Sequence, residues 1–303
     1  MHLQNQYIMK QILTPIFAAA IAAILCCSCE EPAGPLQTTV YTFEDSSAHA
    51  TMKLSAELPS GTDKVSKAIR EDLMDVIDGQ LGHIVSYEGE RQFDAFCGDI
   101  NDTEAYVKYY FDKSLEILAR DSDGDARDRE EYMREEKMDE AEMAEILSRM
   151  PGWEYEFNLS KIEDTDRYCV FQSQDYVYMG GAHGGVTGAG CITYDKRNGN
   201  RFTEFFEPYS ELDLQPLFRE CLAEYFTTED YPVTESNLNE YLILESEYIP
   251  LPVWPPYPAA DGLVFTYQQY EIAPYAAGMP SFTLSFDALE SCLTAEAKHL
   301  LGL

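Results

Sequence analysis

The amino-acid sequence predicts an α+β fold in which antiparallel sheets pack against helices in two closely associated halves. Segments that alternate apolar and polar residues precede two amphipathic helices near the N-terminus, and aromatic and β-branched strand segments dominate after residue 151. A hydrophobic content of 45% over 303 residues is enough to build a substantial core. No internal repeat is visible in the sequence.

The charge of the chain excludes several classes of partner. There are 21 Lys and Arg residues against 54 Asp and Glu, which gives a formal net charge of -33 and a pI near 4.3. Nucleic acid is excluded as the main partner because phosphate contacts need clustered Lys and Arg. The same imbalance disfavours docking on an anionic bilayer through a basic face. An aromatic content of 13% is too high for a disordered acidic chain.

Residues 1–28 are predicted to be a lipoprotein signal peptide. An apolar run follows Met9-Lys10 and ends at Leu25, which is too short to span a bilayer. It leads into CCSCEE, where Cys29 follows a small residue as in the lipobox of bacterial lipoproteins. Cys26 and Cys27 are alternative positions, and a secreted chain without lipid is the other interpretation. Acylated Cys29 would anchor the chain to the inner or outer membrane of the cell envelope, on its periplasmic or cell-surface side.

Residues 29–38 are predicted to be a tether, followed by an N-terminal α+β half over residues 39–160. The tether contains two prolines and no apolar period. The segments TTVYTF and HATMKLSAEL predict strands, and TEAYVKYYFDKSLEILA predicts a helix. Before it, DKVSKAIREDLMDVI predicts a helix with Asp63 as its N-cap and an apolar stripe formed by Val65, Ile69, Leu73, Val76 and Ile77.

The charged segment 121–149 is predicted to be a solvated helix. Three aspartates starting at Asp121 suggest a calcium loop, but Ala126 and Tyr132 occupy the positions where an EF-hand loop has glycine and glutamate. Ion pairs at i,i+4 spacing, Glu130–Arg134 and Glu145–Arg149, favour a helix instead.

Residues 161–303 are predicted to form a C-terminal α+β half. Its first strands, RYCVFQSQDYVYM and CITYD, flank the segment GGAHGGVTGAG, and Asn198-Gly199 predicts a hairpin turn. LQPLFRECLAEYF, ESNLNEYLILE and DALESCLTAEAKHLLG predict helices, and GLVFTYQQYEIAPYAAG and SFTLSF predict strands. Five cysteines beyond Cys29 show no metal or redox spacing, so no metal or cofactor is expected, and their disulfide pairing stays open.

Three C-terminal segments together resemble a known family. YVYMGGAHGG, LVFTYQQYEIAPYAAG and FTLSFDALESCL are similar to the RsiV-type and PdaC-type extracytoplasmic domain, over about residues 165–300. The preceding residues resemble the family's N-terminal half in layout only. The family includes a transmembrane anti-sigma factor whose outer domain binds lysozyme, and a peptidoglycan deacetylase that carries the domain as an accessory. The resemblance implies a lysozyme-like cationic protein or a peptidoglycan fragment as partner.

The same motifs contain the candidate ligand-binding residues. The glycines around His183 allow positive φ or close approach to another backbone, so this segment is expected to be a wide hairpin loop. The alternatives are a ligand-contacting loop and a metal-ligating or catalytic His183, although no second histidine lies nearby in the sequence. Glu271 lies in an apolar, aromatic segment and is expected to accept hydrogen bonds from backbone or tyrosine, with an acid/base role as the alternative. The candidate set is Gly180, Gly181, His183, Gly184, Tyr270, Glu271 and Tyr275.

The sequence is compatible with three functions. The first is a lipid-anchored binding or sensing module without catalytic activity, whose acidic surface speeds encounter with cationic partners. The second is a peptidoglycan- or glycan-acting enzyme that uses Glu271 with another carboxylate. The third is a structural envelope lipoprotein. We expect the first.

Overall fold

The computed structural model describes residues 34–86, 88–180 and 185–303. The predicted signal peptide and the predicted lipidation site Cys29 lie outside these residues. The described residues form six α-helices and two sheets with mostly antiparallel pairing, which confirms the predicted α+β class.

The larger sheet contains six strands in sequential order. They are β1 (Thr38–Ser46), β2 (Ala50–Pro59), β3 (Trp153–Asp164), β4 (Tyr168–Tyr178), β5 (Val186–Asp195) and β6 (Asn200–Arg201). β2 and β3 are parallel and every other pair is antiparallel. The parallel pair needs a long crossover, and the helices between β2 and β3 supply it. The predicted turn at Asn198-Gly199 joins β5 to β6, with Gly199 at a φ of +79°.

Two helices, α1 (Lys64–Leu81) and α2 (Thr103–Glu135), cover one face of this sheet, here called the inner face. A third helix, α3 (Glu140–Arg149), packs on α2. Asp63 caps α1 as predicted, because its carboxylate accepts the Ser66 N–H at 2.9 Å. The first core lies between the helices and the inner face, and its fully buried members include Met52, Leu54, Ile69, Leu73, Tyr110, Phe157, Phe171 and Tyr194.

The predicted solvated helix over residues 121–149 is two helices. α2 continues without a break through residue 135, and α3 follows after a short turn. The two predicted ion pairs are present, Arg134 with Glu130 and Arg149 with Glu145, the second at 2.6 Å. Met143 is buried in α3, whereas most side chains after residue 125 are exposed or half-buried.

The C-terminal half surrounds a second core. It contains α4 (Glu211–Phe226), a small antiparallel sheet of β7 (Tyr257–Ala259), β8 (Gly262–Thr266) and β9 (Ser281–Ser285), and two short helices, α5 (Phe286–Leu289) and α6 (Ala295–Leu301). The predicted single C-terminal helix is therefore divided, because Thr294 caps α6 by accepting the Ala297 N–H at 3.0 Å. Fully buried members of this core include Leu214, Phe218, Leu222, Leu263, Phe265 and Tyr267.

The two cores meet at β4, not at the predicted boundary between residues 160 and 161. That boundary falls inside β3, and the larger sheet continues on both sides of it. Successive strand residues point to opposite faces. Cys169 and Phe171 accordingly enter the first core, whereas Tyr168 and Val170 enter the second. The sheet is shared between the predicted halves.

Two predicted elements of the C-terminal half are wrong. The predicted helix over residues 235–245 is reduced to one 3₁₀ turn, Leu238–Glu240, and the N–H of Ile243 donates to the carbonyl of Ile272 at 2.9 Å instead of continuing a helix. The predicted strand over residues 262–278 ends at Thr266. A turn follows it, with Tyr270 at a φ of +66°.

The predicted tether is also shorter at its C-terminal end than expected. Leu36 is buried, and its N–H donates to the Asp164 carboxylate at 2.9 Å. The main chain from Gly34 is thus fixed to the folded body before β1 begins. Among the described residues, no helix is both long and apolar enough to cross a membrane.

The cysteines of the described segments are all free thiols. Cys169, Cys191 and Cys292 are buried, Cys221 is half-buried and Cys97 is exposed. Burial raises the pKa of Cys169 and of Cys191 to about 12, so these two thiols stay protonated and unreactive near neutral pH.

Candidate functional site

The two motifs that the sequence singled out meet at the free edge of β5. The Tyr275 hydroxyl donates to the Gly185 carbonyl at 2.7 Å. The Gln268 side chain bonds Ala189 twice, accepting its N–H at 3.2 Å and donating to its carbonyl at 2.7 Å. The Gln268 amide thereby takes the place of a neighbouring strand and covers backbone groups that a sheet edge would leave open.

Close approach explains why glycine occupies position 185. A Cβ atom on Gly185 would overlap the ring of Tyr176, a β4 residue whose partner on β5 is Thr187. Gly180, at the end of β4, has a φ of +78°, and a side chain there would collide with the Arg129 guanidinium of α2. Gly181, His183 and Gly184 lie outside the described residues, so their predicted ligand-binding role stays a prediction.

Glu271 stabilises the backbone turn of the second motif. One carboxylate oxygen accepts the Val253 N–H at 2.6 Å, and the other accepts the Gln268 N–H at 2.7 Å. The expectation that backbone groups satisfy this carboxylate is confirmed. The bond from the Gln268 N–H holds the residue whose side chain contacts β5, so Glu271 supports the junction of the two motifs.

Tyr270 presents aromatic surface beside this junction. Its side chain is 66% exposed, and its ring centroid lies 5.9 Å from that of Tyr275 with the planes 34° apart. An exposed tyrosine next to a fixed one offers apolar contact area with a polar tip, as recognition surfaces commonly do. Tyr270, Glu271 and Tyr275 are thus brought together with Gly185, whereas Gly180 lies toward α2.

The side of the larger sheet that faces away from α1 and α2, here called the outer face, adjoins the junction. The second core covers this face where Tyr168 and Val170 of β4 and Cys191 of β5 are buried. Along β1, β2, β3 and the C-terminal end of β4 its side chains are mostly polar and remain half-buried or exposed. Lys53 bonds both Glu154, at 3.3 Å, and Glu156, and the three side chains are about 40% exposed (41%, 39% and 43%). The other members are Thr42, Glu44, Ser55, Glu57, Asn158, Gln174 and Tyr176. Four glutamates against one lysine make this face acidic.

A half-buried carboxyl lies behind the junction, on the inner face. Asp175 pairs with Gly188 of β5, and a Cβ atom on Gly188 would lie only 2.6 Å from the Asp175 Oδ1 atom. The missing side chain therefore leaves room for the carboxyl. Burial raises the pKa of Asp175 to about 6.

The cavities among the described residues include one that reaches Ala189 at the junction and two that lie elsewhere. Two crevices beside Trp254 have volumes of about 40 and 30 Å³, enough for one water molecule each. A third, of about 290 Å³, lies between residues 34–37 and the start of α1. Its charged side chains are already paired, Asp63 with Ser66 and Lys196 with three oxygen atoms. Within the described ranges, no group of three or more His, Cys, Asp and Glu side chains is placed to hold a metal ion.

Sequence reasoning missed the side chains that connect the two motifs. Gln268 contacts a residue 79 positions away, and Tyr176 reads in the sequence as an ordinary strand residue. The sequence contained only an indirect indication of this contact. A glycine pair in front of a strand and a polar amide within an aromatic segment both indicate close backbone contact, without naming the partner.

Comparisons with known proteins support the fold. A model of the family described as "Protein of unknown function (DUF3298)" matches residues 223–287, which include the second motif. No curated protein matches the chain. A solved structure of a DUF3298 family member from Bacteroides fragilis has a TM-score of 0.62 at 15% identity, covering 89% of this chain and 98% of that one.

A second solved structure gives the same result. A DUF3298 family protein from Pseudomonas aeruginosa has a TM-score of 0.51 at 14% identity, covering 87% of this chain and 96% of that one. At such identities the likeness concerns the fold alone. The chain therefore carries a DUF3298 match over residues 223–287 and shares its overall fold with two solved members of that family.

Proposed function

We propose that the protein is an extracytoplasmic binding or sensing module of the RsiV and PdaC type, held in the cell envelope by acylated Cys29. Its partner in this proposal is a cationic protein of the lysozyme type, and the protein catalyses no reaction of its own. The net charge of -33 supports such a partner, because opposite charge accelerates encounter and suppresses binding of anionic molecules.

The observation that carries the proposal is the accessible, acidic outer face beside the two motifs. The part of this face that the second core leaves uncovered is available for contact, and it combines glutamates, amides and tyrosine. Tyr270 extends the surface with an exposed ring. Aromatic groups at the centre and charges around them are the usual composition of protein interfaces.

The carboxylates do not favour the enzymatic alternative. Both oxygens of Glu271 accept backbone N–H groups, which suits a positioning role better than proton transfer to a substrate. Asp175, whose pKa is raised to about 6, points to the inner face, whereas Tyr176 beside it points to the outer face. Asp175 and Glu271 therefore do not form the facing pair that glycoside hydrolysis needs.

The test is a calorimetric titration of the protein with a lysozyme at low salt. We expect binding that weakens in the double variant Glu154→Gln/Glu156→Gln, which removes two charges from the outer face. The matched control is Glu140→Gln/Glu142→Gln, because these exposed glutamates of α3 change the net charge equally. Equal loss in both variants would show that only total charge matters, and absence of binding by the parent protein would remove the lysozyme proposal.

A further inference from the structure

The start of the described chain is fixed by a buried ionic cluster. Lys196, whose side chain is 3% exposed, donates to the Gly34 carbonyl at 2.9 Å and to Asp164 at 2.8 Å. Lys161 donates to the Leu36 carbonyl and to Asp164, both at 2.7 Å. Together with the bond from the Leu36 N–H to Asp164, these contacts form what we call the Asp164 clamp. It determines where the N-terminal segment leaves the folded body.

The clamp lies at the opposite end of the larger sheet from the candidate site. Asp164 ends β3 and Lys196 follows β5, whereas Gly180 and Gly185 lie at the other ends of β4 and β5. A strand of ten residues, such as β5, is about 33 Å long. The point where the N-terminal segment leaves the body and the junction of the two motifs are therefore separated by roughly the length of the sheet.

Charge is distributed unevenly between these two ends. Residues 121–149 contain twelve acidic and five basic side chains, and they contact the end with the candidate site through the Asp123–His49 bond of 2.8 Å and through Arg129 beside Gly180. The clamp end is close to neutral at its surface. Its exposed charged side chains include Lys64, Lys67, Arg167 and Arg197, which are balanced by Asp63, Asp166, Glu204 and Glu296.

We propose that the clamp end faces an anionic bilayer, and that the junction of the two motifs and the acidic segment 121–149 lie at the end away from it. This inference rests on the proposed acylation of Cys29. Four residues lie between Cys29 and Gly34, so the chain from an acylated Cys29 to the clamp spans at most about 18 Å. Anionic lipids repel the acidic end of the protein and do not repel the neutral clamp end. The acyl chain supplies affinity, and the charge distribution sets orientation.

The orientation can be measured on the acylated full-length protein in vesicles of phosphatidylcholine and phosphatidylglycerol. Thr62→Cys and Ala48→Cys place one fluorophore at either end of β2, in a Cys97→Ser background that removes the exposed thiol. Energy transfer to headgroup acceptors is expected to be at least about twofold stronger from position 62, because β2 is about 33 Å long. Equal transfer from both positions, with acyl found on Cys29, would overturn the orientation and leave the anchor standing.

The clamp itself has a readout that needs no membrane. In the Cys29→Ser chain in solution, the added substitution Lys161→Met is expected to accelerate hydrogen exchange at the Leu36 amide. In the acylated protein on vesicles, Lys161→Met should reduce the difference in energy transfer between the two fluorophore positions. Lys113→Met is the matched control, since Lys113–Glu116 is also an i,i+3 pair at 2.7 Å but is exposed. Unchanged exchange in Lys161→Met would contradict the clamp. Mass spectrometry that finds no acyl group on Cys29 would instead contradict the proposed anchor.

Discussion

Asp175 provides a quantitative test of the structure around the candidate site. Its pKa is raised by burial from 3.8 to about 6, so the folded protein holds this proton more tightly than the unfolded chain does. The free energy of unfolding must therefore fall as the pH rises through this window. A shift of about two pKa units corresponds to about 3 kcal/mol in total, of which about 1.4 kcal/mol is lost between pH 5 and pH 8.

The variant Asp175→Asn keeps the shape of the side chain and removes the charge. Its stability relative to the parent protein is expected to increase by about 1.4 kcal/mol between pH 5 and pH 8, measured by urea unfolding at each pH. Both values avoid the pI near 4.3, where the protein would associate. The control is Asp45→Asn, at an exposed position near the end of β1. A stability difference that is the same at both pH values would refute the burial of the Asp175 carboxyl.

Three further predictions concern the junction of the motifs and the clamp. Gly185→Ala should destabilise the protein by about 2 kcal/mol in urea unfolding, because the methyl group overlaps a tyrosine ring; an unchanged midpoint would contradict the close approach. Tyr275→Phe removes the bond to the Gly185 carbonyl and should cost about 1 kcal/mol, with faster hydrogen exchange near residue 185 as a second readout. Burial opposes ionisation of Asp164, but hydrogen bonds from two lysines outweigh it and lower its pKa. Asp164→Asn should therefore lower the free energy of unfolding by about 3 kcal/mol at pH 7 relative to the parent protein, and this difference should shrink as the pH falls below 3.8. A difference that does not depend on pH would disprove the ionic cluster.

Local patterns in the sequence predicted the elements whose interactions are local. The helix α1 has the expected N-cap at Asp63, and the turn at Asn198-Gly199 is where its dipeptide indicated. Where distant residues decide the backbone conformation, the predictions were wrong. Residues 235–245 do not form a helix, and the N–H of Ile243 donates to the carbonyl of Ile272 instead. The strand that begins at Gly262 ends early, and Glu271 accepts the N–H groups of Gln268 in the following turn and of Val253.

The candidate site shows the same division. The glycine and tyrosine motifs pointed to the correct segments, since Gly185 and Tyr275 are in direct contact. Gln268 and Tyr176 connect those segments, but neither belongs to a local pattern that marks it. The tether was predicted to extend to residue 38 because its composition is typical of linkers. The lysines that fix Leu36 and Gly34 lie 125 and 162 positions away from them.

The salt dependence of lysozyme binding tests the central claim most directly. At about 10 mM salt charges act over about 30 Å, and at about 150 mM over about 8 Å. We predict that the parent protein binds a cationic lysozyme at the lower salt, that the affinity falls at the higher salt, and that an acidic protein of similar size does not bind at either. Absence of lysozyme binding at the lower salt, or equal binding of the acidic protein, would contradict the proposed function.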